Sequence, residues 1–290
     1  MSFDKKILAR EAIAKALQTR RMAGYAMWDP ACVYDLAEKI GVEVRFFDIP
    51  SMEGMYSSGE NPTIIISSLR PSGRQAFTGA HELGHHVFGH GAQYDELVEQ
   101  RSEARRFDPN EFKADSFAGA LLMPKVAVDR GFALHGWNPA TCSPEAFYTV
   151  ATWLGVGYTT LVHHMQYAMQ VIKPQRADEL LRQNLMVTRS NLLGKECREH
   201  LVVADHHWTG RAVDIQVSDL VLLPPRTRIE GKCAAVYAEN KMNVVAQGAT
   251  PGIGRVVVDD LGWSTFIRVM RKQYSGRGKY RFEEEVNDVE

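Results

Sequence analysis

Gly79-Ala80-His81-Glu82-Leu83-Gly84-His85-His86-Val87-Phe88-Gly89-His90 is the stretch on which the reading of this chain turns. It contains His81-Glu82-x-x-His85 inside a run that reads as helix. Residues four apart on a helix lie on one face, so both imidazoles can point at one spot. Two neutral histidines at that separation suit zinc, and a glutamate beside the first can reach a water held there. Ala80, Leu83, Gly84 and Val87 recur at the spacing of an apolar stripe, which would press the helix onto a core. The pattern alone is short enough to arise by chance, and histidine pairs also occur on solvated faces. A third ligand has to come from elsewhere in the chain.

The segment Asp108-Pro109-Asn110-Glu111-Phe112-Lys113-Ala114-Asp115-Ser116-Phe117-Ala118 offers one. Asp108 and Pro109 read as a cap and a first-turn proline, so Glu111 sits early on a helix that ends at Met123-Pro124. Glu111 and Asp115 share a face. One carboxylate can bind a metal while an acid one turn later accepts the N–H of a ligand histidine and sets its tautomer. The bland alternative is an exposed acidic face. The three-histidine class of such sites needs glycine at 88 and histidine at 91, where this chain has Phe88 and Gly91. His86 and His90 then read as residues behind the pair or at the surface, with His90 also a candidate for contact with substrate.

Together, Phe77-Thr78-Gly79-Ala80-His81-Glu82-Leu83-Gly84-His85 and Glu111-x-x-Ala114-Asp115-x-Phe117-Ala118-x-x-Leu121-Leu122-Met123-Pro124 resemble the ImmA/IrrE family of bacterial metallopeptidases. The resemblance covers the first half of the chain. It implies a small gluzincin-like zinc peptidase domain in an α+β fold, one Zn2+ held by His81, His85 and Glu111, Glu82 as general base and Asp115 supporting a ligand histidine. Many members carry a second acid two residues after the first, where this chain has Lys113. The implied activity is a zinc metalloendopeptidase that cleaves a helix-turn-helix transcriptional repressor, releasing stress, DNA-damage or mobile-element genes. The second donor for a developing oxyanion is open among Tyr94, His90 and Arg106.

The rest of the chain frames that site. At 290 residues there is room for about two domains, and we divide it into a peptidase domain (1–130), a helical helix-turn-helix-like segment (131–197) and a β-rich segment (198–290). A net charge of -1 gives no global field for nucleic acid or membrane. Cys32, Cys142, Cys197 and Cys233 form no C-x-x-C pair, which fits a reducing compartment, and no long apolar run occurs. The expectation is a cytoplasmic protein without a membrane partner.

In order, residues 4–20 read as helix, Asp29-Pro30 as the cap of a helix over 31–40, and Val42–Phe47 as a strand. Gly54–Ser68 reads as a hairpin whose strand Thr63–Ser67 is a plausible edge for an extended substrate. Ser143 to Gln170 reads as helix, glycine turn and helix. Its second helix lacks the arginines and lysines that phosphate or guanine contacts need, so packing is favoured over DNA binding. Residues 198–290 are β-rich, and their place in the chain matches the GAF-like sensor of stress-responsive relatives, which makes a small-molecule signal a possible ligand. Arg268, Arg271, Lys272, Tyr274, Arg277, Lys279, Tyr280 and Arg281 interleave basic and aromatic residues as a single-stranded nucleic-acid contact does, or form a solvated tail. The rival class is a DNA-binding or regulatory protein whose peptidase fold binds a partner without catalysis. An intact Glu82 speaks against it.

Overall fold

The computed structural model describes residues 5–91, 93–96 and 107–284. The first helix, α1 (Lys5–Met22), buries Ala12, Ala16, Thr19 and Arg20 along one stripe and packs on α4 (Pro109–Leu122), whose inward residues include Ala118, Leu121 and Leu122. Arg20 is wholly buried and ties the layer together, donating to the carbonyls of Leu121 (2.7 Å), Ala26 (2.6 Å) and Asp29. Burial pulls its guanidinium down to about 10, which leaves it charged at neutral pH.

After α2 (Val33–Lys39) come β1 (Glu43–Phe47), β2 (Met52–Ser57), β3 (Thr63–Ser67), α3 (Ser72–Phe88) and β4 (Gln93–Glu96). Asp29 does not cap α2. The cap position is Cys32, without a side-chain bond, and the Asp29 carboxylate instead meets Arg130 at 2.9 Å. Alternate residues Val44, Phe46, Ile64 and Ile66 are buried, the period-two pattern of a half-covered sheet, and α3 lies across β2 and β3. The strand order is β13-β1-β3-β2-β4, with β13 at Gly276–Arg277. β3 runs parallel to β1 and antiparallel to β2. It is therefore interior, and the expectation of a free edge at Thr63–Ser67 is corrected. Its β-branched run Thr63-Ile64-Ile65-Ile66 is that of a strand paired on both sides.

The helices α5 (Lys125–Ala133), α6 (Pro144–Leu154) and α7 (Tyr158–His163) follow, α7 continuing into a π-helical turn at His164–Ala168, then α8 (Pro174–Leu181) and α9 (Leu185–Leu193). In α7, Tyr158, Leu161 and Val162 are buried, so the helix-turn-helix pattern is spent on packing. The C-terminal strands form two sheets among the described residues. One has the order β5 (Leu201–Val203), β7 (Leu220–Leu223), β10 (Val244–Gly248) and β9 (Ala234–Glu239). The other runs β6 (Val213–Gln216), β12 (Trp263–Met270), β11 (Gly252–Val258) and β8 (Arg228–Glu230). The fold is α+β, and no helix among the described residues is long and apolar enough to cross a membrane.

The chain then returns to its beginning. β13 pairs antiparallel with β1. Arg281, 4% exposed, meets Asp35 at 2.6 Å, and Arg268 reaches Asp35 at 3.0 Å and Asp214 at 2.6 Å. Arg277 pairs with Glu43 at 2.5 Å. Much of the basic C-terminal stretch is thus turned onto the protein's own acids.

Burial alone would raise the Asp35 carboxyl, but Arg281 and Arg268 outweigh it and hold it below the usual carboxylate range. Its stabilisation is complete above a pH of about 4 and is lost as the pH falls lower. Asp35→Asn leaves the buried Arg281 short of its main counter-charge and should lower the unfolding free energy by about 3 kcal/mol. Urea unfolding at neutral pH checks this, and the difference from wild type should shrink in acid.

Candidate metal centre

α3 owes its position to two places without side chains. A Cβ on Gly84 would stand 3.1 Å from the Cα of Ala114, so the missing side chain lets α3 and α4 cross closely. On the opposite side, a Cβ on Gly54 of β2 would lie 2.4 Å from Thr78 Cγ2 and 2.8 Å from Glu82 Oε1. Beyond these contacts α3 stops at Gly89, which adopts the left-handed conformation, φ 66°, common at helix C-termini. Asp108 accepts from Asn110 N–H at 2.8 Å and starts α4 ahead of the crossing, as its sequence predicts.

That geometry brings His81, His85 and Glu111 together, the group among the described residues that could hold a metal ion. The two Nε2 atoms face each other at 3.0 Å, and each lies 3.5 Å from an oxygen of Glu111. Tetrahedral zinc with bonds of about 2.0–2.1 Å places its ligand atoms roughly 3.3 Å apart, so the spacing of this set fits. The charge also fits. Burial opposes a charge on either ring, yet the bonds from Asp115 and Glu111 hold His81 well above the usual histidine value. His85 is pushed down by burial and by the charge on His81. The carboxylates therefore favour positive charge at His81, while a second one at His85 is opposed.

Both ligand-type histidines are held from behind. His81 Nδ1 meets Asp115 Oδ1 at 2.8 Å, and His85 Nδ1 meets His90 Nδ1 at 3.1 Å. For His85 to offer the Nε2 lone pair, its Nδ1 must carry the proton and His90 Nδ1 must accept it. His90 is itself stacked on Phe88 with ring centroids 5.4 Å apart. It therefore stands behind His85, on the side opposite Nε2. His86 points elsewhere, with Nδ1 2.9 Å from the Tyr56 hydroxyl. Glu82, next to His81, is wholly buried beside Gly54. Arg106 lies outside the described residues, and Tyr94 is described only as a residue of β4 opposite Met55. The contribution of Gly54 was missed at the sequence level, although a glycine inside a strand pattern is itself a sign of close approach.

Residues 37–165 match the profile of the Peptidase_M78 family, described as an IrrE N-terminal-like domain. No curated protein matches the chain. Among solved structures, a Mycobacterium tuberculosis transcriptional regulator is similar over 58% of this chain and 49% of its own, at 15% identity and a TM-score of 0.37. The chain spans about half the length of that protein, and a likeness of this degree carries no argument.

If Glu111 completes the donor set, the Glu111→Ala protein should purify without stoichiometric zinc, read by elemental analysis. His90→Ala and Asp115→Ala should keep the fold and lose roughly 10- to 100-fold in zinc affinity, measured by competition with a chromogenic chelator. Unchanged zinc content in Glu111→Ala would point to another carboxylate.

Proposed function

We propose that this chain, whose residues 37–165 match the Peptidase_M78 profile, is a zinc-dependent endopeptidase. The observation that carries the reading is the convergence of His81, His85 and Glu111 with a wholly buried Glu82 beside them. The three would hold one Zn2+, and a zinc ion so held supplies Lewis-acid polarisation and acidifies water toward neutral pH. Glu82 takes the proton of the attacking water and returns it to the leaving amine. Asp115 and His90 keep the two imidazoles in the tautomer that presents Nε2. Gly54 leaves room for the Glu82 carboxylate on the sheet side of α3.

An extended peptide needs a strand edge. With β3 interior, the sheet edge on this side is β4, whose partner among the described residues is β2. A substrate segment would add along β4 through backbone hydrogen bonds. The substrate class, a helix-turn-helix repressor whose loss releases stress or mobile-element genes, rests on the resemblance of the paired motifs. A sensing task for residues 198–290 rests on their place in the chain. A role confined to partner binding leaves a buried carboxylate at position 82 without a task.

The test compares cells expressing wild type or Glu82→Gln by profiling of protein N-termini. The variant should retain zinc, and a new N-terminus within a helix-turn-helix regulator should appear with wild type alone. The proposed mechanism fails if the Glu82→Gln protein produces the same terminus.

A further inference from the structure

A cavity of about 120 Å³ lies where the head of α3 meets the C-terminal strands. Much of its wall is apolar, from Val33, Val156, Val202, Trp208, Ile215 and Met270. Three polar residues on the same wall form a chain. Ser72 Oγ is 3.4 Å from His200 Nε2, and His200 Nδ1 is 3.3 Å from Asp219 Oδ2. Each comes from a different part of the fold: Ser72 opens α3, His200 precedes β5 and Asp219 precedes β7.

The acid is fixed. Asp219 Oδ2 accepts the Gln216 N–H at 2.9 Å, its own N–H donates to the Gln216 carbonyl at 3.0 Å, and its carbonyl accepts from Gly248 at 3.0 Å. The turn that achieves this places Ser218, a non-glycine residue, at φ 75°, the kind of backbone outlier that clusters at functional sites. Asp219 accepting at Nδ1 leaves the Nε2 lone pair of His200 directed at Ser72. At the head of α3 the Pro71 carbonyl is taken by the N–H groups of Arg74 and Gln75, and those of Ser72 and Gly73 have no acceptor within their own helix.

We propose that Ser72, His200 and Asp219 form a second, metal-independent site that accepts the acyl group of a small ester or thioester. Ser72 Oγ bonds to the carbonyl carbon while its proton passes to His200 Nε2. The carbon–oxygen or carbon–sulfur bond then breaks, the leaving alcohol or thiol takes that proton, and the acyl group remains on Ser72. Water, giving a proton to His200, cleaves the ester and restores the serine, releasing a carboxylic acid. The N–H groups of Ser72 and Gly73 lie beside the developing oxyanion, as in other sites where a nucleophilic serine heads a helix. The serine–histidine separation is that of a site without substrate, since such bonds tighten on binding. The cavity sets the size of the acyl group: a void of about 150 Å³ holds benzene, so one of about 120 Å³ takes a short acyl chain smaller than that ring.

The experiment treats the full-length protein with a fluorophosphonate probe and locates the adduct by peptide mass mapping, with and without a zinc chelator. A single adduct on Ser72 is expected, unaffected by the chelator and absent in Ser72→Ala. His200→Gln and Asp219→Asn, each shown folded by circular dichroism, should slow labelling at least about 100-fold. Hydrolysis of p-nitrophenyl acetate should fall in parallel. No adduct on Ser72, or labelling at the same rate in either variant, overturns the proposal and leaves the chain as a tie between α3 and the C-terminal strands. Loss of labelling on chelation would also overturn it. None of these outcomes bears on the zinc reading.

Discussion

The crossing of α3 and α4 at Gly84 and Ala114 is the contact on which the candidate metal centre depends. Helix backbones approach this closely only where a side chain is missing, and the approach fixes how far Glu111 stands from the two histidines. On the sheet side Gly54 performs the same service for Glu82. α3 is thus clamped between a helix and a strand at two bare positions, and the groups with chemistry are those that protrude into the space the clamp leaves. Rigidity here comes from steric contact, and the hydrogen bonds of Asp115 and His90 refine ring orientations that packing has already narrowed.

Charge is distributed by the same economy. Arg20 is buried among carbonyl oxygens, which satisfy a cation without adding a counter-charge, while Arg281 and Arg268 are set against Asp35 and Asp214. At the candidate metal centre the balance differs: the carboxylates of Asp115 and Glu111 meet two imidazoles, and they favour positive charge at His81.

What the sequence showed plainly was local. The helical spacing of His81 and His85, the Asp108 cap and the Glu111–Asp115 pair each depend on residues within a few turns of one another. Helix capping misled at Asp29, because a carboxylate before a proline is equally suited to a tertiary ion pair, here with Arg130. The edge at Thr63–Ser67 was misjudged because strand order is decided by β1, β2 and β13, and alternation along one strand carries no record of its neighbours. The basic C-terminal stretch was ambiguous for the same reason: its partners Asp35 and Glu43 lie near the other end of the chain. The Ser72–His200–Asp219 chain has no local signature at all.

The return of β13 to the edge of β1 has a consequence for synthesis. Asp35 and Arg281 are 246 residues apart, so the first sheet receives its β13 strand long after β1 has been made. At about 5–20 residues per second, the ribosome needs on the order of ten to fifty seconds to deliver Arg281 after Asp35 has emerged. Throughout that interval the outer backbone of β1 lacks its final neighbour, and the site helix rests on an incomplete sheet. Closure of that sheet waits on synthesis of Gly276 and Arg277, so chains cut short before them are left with an open strand edge.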